Sequence, residues 1–195
     1  VTCTRWLLNA SRVDPPASIS DAAQGQACPR VRDMKQRDQI VMSDAEVDAF
    51  LSSQRSSTVG TLGPKGQIHL VGMWYAWFDG HVWFETKPKS QKVVNLRRDP
   101  TMSFLVEAGH TYDALRGVAL EGRGVLIDDA ELLERVCLDM FERYNGPYTE
   151  EMKPLVEFML HNRVVVKIEA DRIRSWDHRK LGMDLADITG KPFQS

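Results

Sequence analysis

From Ser43 onward, apolar residues recur at two different spacings, and the changes between them mark out the elements. Ser43-Asp44-Ala45-Glu46 opens a helix as a capping box: the hydroxyl takes an orphan backbone N–H, and the glutamate reaches back three residues. Val47, Phe50 and Leu51 supply its apolar face. Residues 57–62 are a short β-prone run, and Gly63-Pro64-Lys65-Gly66 is turn chemistry before the next strand. Residues 67–78 read as one long strand rich in β-branched and aromatic side chains. Asp79-Gly80 signals a two-residue hairpin, because both central positions take positive φ, and residues 81–86 return as the partner strand.

Residues 89–99 predict a short helix stopped by Pro100, followed by strands over 102–107 and 117–127. Asp128 or Asp129 caps a helix whose stripe is Leu133, Val136, Cys137, Met140, Phe141 and Tyr144, spaced by three and four. Residues 149–161 give another helix with Met152, Leu155, Val156 and Met159 on one face, and 163–168 and 173–176 close the chain as two short strands. Six or seven strands and three or four helices, joined by hairpins, predict a mostly β protein with peripheral helices. An antiparallel barrel fits this order better than a doubly wound sheet.

At 195 residues, one domain is the default. Residues 1–33 carry Pro15, Pro16 and Pro29 among small polar residues and hold no period, so they read as an extension outside the folded domain, poorly ordered or foreign to it. Met34 is a candidate natural start; the domain is placed at 34–180 and a C-terminal tail at 181–195. Twenty-five basic residues against 27 acidic ones give a net charge of -2, which argues against a general affinity for nucleic acid. The apolar run at 70–78 is far short of the roughly 20 residues that cross a bilayer. Cys3, Cys28 and Cys137 share no metal or redox spacing, which points to a reducing, cytoplasmic setting. His69, His81, His110, His161 and His178 never fall at ligand spacings, so no metal site is expected. There is no GxSxG elbow, and Gly122-Arg123-Gly124 lies within a strand pattern without a third glycine.

Five cationic residues, Lys87, Lys89, Lys92, Arg97 and Arg98, fall within positions 86–98, where a strand ends and a helix begins. Backbone N–H groups at that helix start, Ser90 as its cap and the Lys92 ammonium would together suit an anion, with Asn95 one turn on as a further donor. A solvated amphipathic helix with a charged side fits the same spacing. The aromatic run Trp74-Tyr75-Ala76-Trp77-Phe78, with Trp83 beyond the hairpin, and the later Trp176 could flank a planar cofactor or fill a core and a dimer face.

Taken in order, Phe84-Glu85-Thr86, Ser90-Gln91-Lys92, Asn95-Leu96-Arg97-Arg98-Asp99-Pro100, Arg116-Gly117-Val118-Ala119-Leu120-Glu121-Gly122-Arg123 and Ile173-Arg174-Ser175-Trp176 resemble a known family. The chain resembles the pyridoxamine-phosphate-oxidase-like split β-barrel superfamily, and within it the actinobacterial flavin/deazaflavin oxidoreductases that use coenzyme F-420. The resemblance covers about residues 40–180. It implies an FMN-binding-protein-like antiparallel split β-barrel and a homodimer with two cofactor sites at the subunit interface. It places Ser90, Gln91, Lys92 and Asn95 around the cofactor phosphate, with Glu85 and Thr86 beside it. Val71, Gly72, Met73 and Trp74 would run under the ring, and Trp176 would flank it.

The FMN-dependent oxidases of this superfamily carry an Arg and a Lys where this chain has Val71 and Ala76, an Arg where it has Gln91, and a Gln where it has Gly117. The missing cations, each worth roughly 1.5–3 kcal/mol to a phosphate, argue against FMN held in the oxidase manner. A deazaflavin phosphodiester carries one charge, and its oligoglutamate tail suits Lys87, Lys89, Arg97 and Arg98. The expected activity is therefore hydride transfer between F-420 and an unsaturated small organic substrate. No protein nucleophile is implied; Tyr75 is a candidate proton donor. The alternatives are an FMN-dependent reductase or oxidase, and a carrier that binds flavin or haem without turnover.

Overall fold

The computed structural model describes residues 36–183. The expectations for residues 1–33, and for the tail from 184 on, lie outside the described residues. Seven strands form one antiparallel sheet in the order β2-β1-β5-β6-β7-β4-β3: β1 Ser57–Leu62, β2 Ile68–Met73, β3 Ala76–Phe78, β4 His81–Thr86, β5 Thr101–Ala108, β6 Arg116–Ile127 and β7 Val164–Asp177. Around it lie α1 Gln36–Gln39, α2 Asp44–Ser53, α3 Gln91–Arg98, α4 Ala130–Asn145 and α5 Lys153–Leu160.

The local signals act as the side chains dictate. Ser43 and Glu46 form both halves of the capping box that starts α2, and the Asp129 side chain accepts the Leu132 N–H at the start of α4. Asp79 and Gly80 take φ of 53° and 69°, as the tight β3–β4 hairpin requires.

Two strand expectations are corrected. The run at 67–78 is two strands, broken at Trp74-Tyr75. Tyr75 swings inward, is fully buried, and donates its hydroxyl to the carbonyl of Leu51 at 2.7 Å, with that of Gln54 at 3.2 Å. Conversely, 163–168 and 173–176 are parts of one 14-residue strand, β7. It pairs with β6 over that strand's whole length, and a bulge opposite Glu121/Gly122 leaves Asp171 unpaired while Glu169 and Arg172 on either side stay in the ladder. The predicted helix at 149–161 begins as a 3-10 turn, Glu150–Met152, before α5, and Leu155 faces solvent at 51% exposure.

The break at Trp74-Tyr75 also closes the fold. β2 and β3 stand at opposite ends of the strand order, yet only two residues separate them. Three residue steps span at most about 11 Å, so the two sheet edges come together at this point. The sheet is therefore curled into a split barrel. Val59, Phe84, Phe104, Val106, Val118 and Val166 fill its interior. A second apolar cluster joins α4 to the outside of the wall: Val136 and Met140 against Ala76, Trp83 and Val165. Helix α3 lies against β1 and β6. There, Gly124 makes room for Leu96, since a Cβ would sit 2.9 Å from Leu96 Cδ2.

Candidate functional site

The end of β4 and the start of α3 meet at Thr86 and Ser90. Thr86 is buried, and its hydroxyl lies 3.3 Å from that of Ser90. Ser90 occupies the N-cap position of α3, but its side chain accepts no helix N–H; the hydroxyl is turned toward Thr86 instead. Lys92 retains 8% exposure and, among the described residues, has neither an ion pair within 4 Å nor a hydrogen bond. The Lys92 side chain is thus largely buried, and burial disfavours its charged form. Lys87 and Gln91 are exposed.

Two further charges stand by Lys92. Glu85 on β4 lies with its Oε2 3.1 Å from Arg163 Nε, and both side chains are largely buried. That Nε–H is directed at the Met159 carbonyl, 3.1 Å away, so Glu85 Oε2 has a charge partner there but no hydrogen bond. Burial pushes the Glu85 carboxyl above its usual range, opposed by Arg163 and Lys92. Burial lowers the Lys92 ammonium, and Glu85 opposes that shift. Cys137 on α4 belongs to the same surroundings: burial and then the Glu85 charge push its thiol up to about 12.

Asn95 does not open outward. It is fully buried, donating to Thr61 Oγ1 at 3.0 Å and accepting from Gln91 Nε2 at 2.8 Å. In this structure it ties α3 to β1. Tyr75, considered above as a proton donor, is also corrected: its hydroxyl proton is committed to a backbone carbonyl, and burial raises its pKa far beyond the usual phenol range.

The other expected residues lie on β2, just after it, and on β7. Among the described residues β2 is an edge strand that pairs with β1 alone. Val71 and Met73 turn their side chains to the core, whereas Ile68, Leu70, Gly72 and Trp74 face out. Trp74 is half exposed and stacks on Tyr144, ring centroids 4.0 Å apart. At the far side of the same face, Trp176 on β7 lies across Gly117 of β6, where a Cβ would meet the indole at 2.2 Å. Gly117 thus leaves room for the Trp176 indole.

Between Leu70 and Trp176 runs a cleft of about 540 Å³ floored by Thr58, Ser103, Leu105 and Ala119. Glu121 and Arg174 line it as a two-pronged ion pair, at 2.9 and 3.2 Å. None of the β4–α3 junction residues lines this cleft. Sequence reasoning missed Arg163, Glu121 and Arg174. The period-two alternation of β6 and β7 held the signal for the latter pair; Arg163 gave none, because it reaches Glu85 through the fold alone.

Among curated proteins, none matches the chain. The family model described as pyridoxamine 5'-phosphate oxidase matches residues 43–177. A conserved hypothetical protein of Mycobacterium tuberculosis, Rv2991, is 55% identical, with 83% of this chain and 96% of that one covered at a TM-score of 0.74. An F-420 reductase is 21% identical, covering 65% of this chain and 94% of its own at a TM-score of 0.52. An FAD-binding protein of Mesorhizobium loti, mll6688, is 16% identical, covering 69% and 93% at a TM-score of 0.52. At these low identities the last two share the fold.

Proposed function

From the membership of this chain in the pyridoxamine 5'-phosphate oxidase family, we propose an oxidoreductase that uses the deazaflavin F-420 to transfer a hydride to or from an unsaturated small organic molecule. The observation that carries this reading is Lys92: a largely buried side chain with no ion pair or hydrogen bond among the described residues, in the first turn of the helix whose N-cap residue, Ser90, meets the Thr86 hydroxyl at the end of a barrel strand. Such an ammonium fits a phosphate group, and the absence of further cations at Val71, Ala76 and Gln91 favours one with a single charge. The likeness in fold to an F-420 reductase supports the same reading.

When bound, the deazaflavin supplies the hydride chemistry, and the protein supplies position and electrostatics. Lys92 would hold the phosphate, with the Thr86 and Ser90 hydroxyls as donors. The backbone edge of β2 at Val71–Trp74 offers N–H and C=O groups to a polar ring edge. Trp176, packed against Gly117, bounds the cleft. The outward apolar residues Ile68 and Leu70 of β2, with Trp74 just after it, suit a homodimer in which each site draws on both chains.

Titration of F-420 fluorescence and of FMN absorbance with the purified chain tests the reading. F-420 is expected to bind, and Lys92→Ala to weaken it by about 1.5–3 kcal/mol. Retention of FMN without any F-420 binding would overturn the deazaflavin assignment in favour of a flavin. An unchanged Kd in Lys92→Ala would remove the lysine from the site.

A further inference from the structure

At the β4–α3 junction three charges are largely withdrawn from solvent, Lys92 on α3, Glu85 on β4 and Arg163 just before β7, whereas Lys87 and Lys89 of the connecting loop are exposed. The fourth titratable group facing them, the Cys137 thiol of α4, is buried and neutral at ordinary pH. Two cations against one carboxylate leave one net positive charge. Arg163 is already matched to Glu85, so the uncompensated charge is that of Lys92.

A phosphate monoester carries close to two negative charges above its second pKa, near 6. Set against one positive charge in a poorly hydrated place, it leaves a net negative charge without compensation. A phosphodiester carries one negative charge and balances the cluster. We infer that Glu85 is a specificity-determining residue: by cancelling Arg163 it sets the site to one net positive charge, so that a phosphodiester or other monoanion is accepted and a phosphomonoester dianion disfavoured. Glu85 acts on the ligand through the field of the cluster, and a neutral isostere at that position would admit the dianion. The inference rests on the proposal that Lys92 faces the ligand anion, and it extends that proposal to the class of anion taken.

FMN and its phosphate methyl ester share ring and ribityl chain and differ by one charge, so their affinities for the full-length protein at pH 8 form the test. The wild type is expected to bind the methyl ester at least about tenfold more tightly than FMN. Glu85→Gln is expected to erase that ratio, and Arg163→Gln, which removes a cation, to widen it. Circular dichroism of each variant confirms folding, and the opposite shifts of the two variants separate an electrostatic role from a structural one. A ratio that stays the same in both variants, a wild type that prefers FMN, or a wild type that binds neither ester overturns the inference. If the ratio behaves as expected but F-420 does not bind, only the deazaflavin reading fails. If F-420 binds and the ratio does not move, only the role of Glu85 fails.

Discussion

At the scale of single residues, position in sequence and position in space part company within a few ångströms. Lys92 was legible because a cation at the start of a helix after a strand has a local signature. Arg163 was not, since what matters is its 3.1 Å approach to Glu85, seventy-eight residues earlier in the chain. Asn95 was legible as a residue of the same turn but not as a buried one, because helical spacing gives a face and not what covers it. Glu46 shows how much a polar residue can do locally. It accepts from the Ser43 N–H at 2.7 Å and from Lys180 Nζ at 2.7 Å, and Lys180 heads the causes that hold its carboxyl at about 2 instead of the usual 4.5. A carboxyl depressed on folding stabilises fully above its unfolded pKa and loses that contribution as pH falls toward the folded value. The melting temperature should therefore drop between pH 4.5 and 2 more steeply in the wild type than in Glu46→Gln. Parallel pH profiles for the two proteins would show that the pair with Lys180 does not contribute.

At the scale of elements, the helices and hairpins followed their own local chemistry, and the strands did so only in part. A capping box, an aspartate cap and an Asp-Gly turn act over four residues or fewer, so their positions hold. A strand's continuity is decided by its neighbour. The run at 67–78 looks continuous because its residues all favour extended backbone, yet barrel closure breaks it at Tyr75. Residues 169–172 look like a loop because they are polar, yet β6 beside them keeps the ladder going. Helix α3 is fastened to the barrel by the Asn95 amide, so Asn95→Ala leaves the buried Thr61 hydroxyl without its donor. A loss of about 1–3 kcal/mol in unfolding free energy is expected by denaturant titration. An unchanged unfolding free energy together with a weakened cofactor Kd would instead make Asn95 a ligand contact.

At the scale of the molecule, barrel and helices were legible as a class from the count and order of signals, while the strand order was not, because pairing between distant strands leaves no local mark. No helix among the described residues is long and apolar enough to cross a membrane. The outward apolar row on β2, with Ile68 at 70% and Leu70 at 66% exposure, is the surface on which the proposed homodimer depends. Light scattering should give twice the 22.1 kDa chain mass, and Leu70→Glu should shift it to the monomer. A wild-type monomer at micromolar concentration would exclude a site shared between two chains.

The two-residue step from β2 to β3 also governs how the molecule can be made. The hairpins β1–β2 and β3–β4 are complete early in the chain, but they are joined through the wall only by β5, β6 and β7. Phe84 meets Val166 only after some eighty more residues have been added. A nascent chain leaving the ribosome therefore carries the β3–β4 hairpin unpaired to the wall while some eighty further residues are made, and the barrel closes only when its last strand arrives.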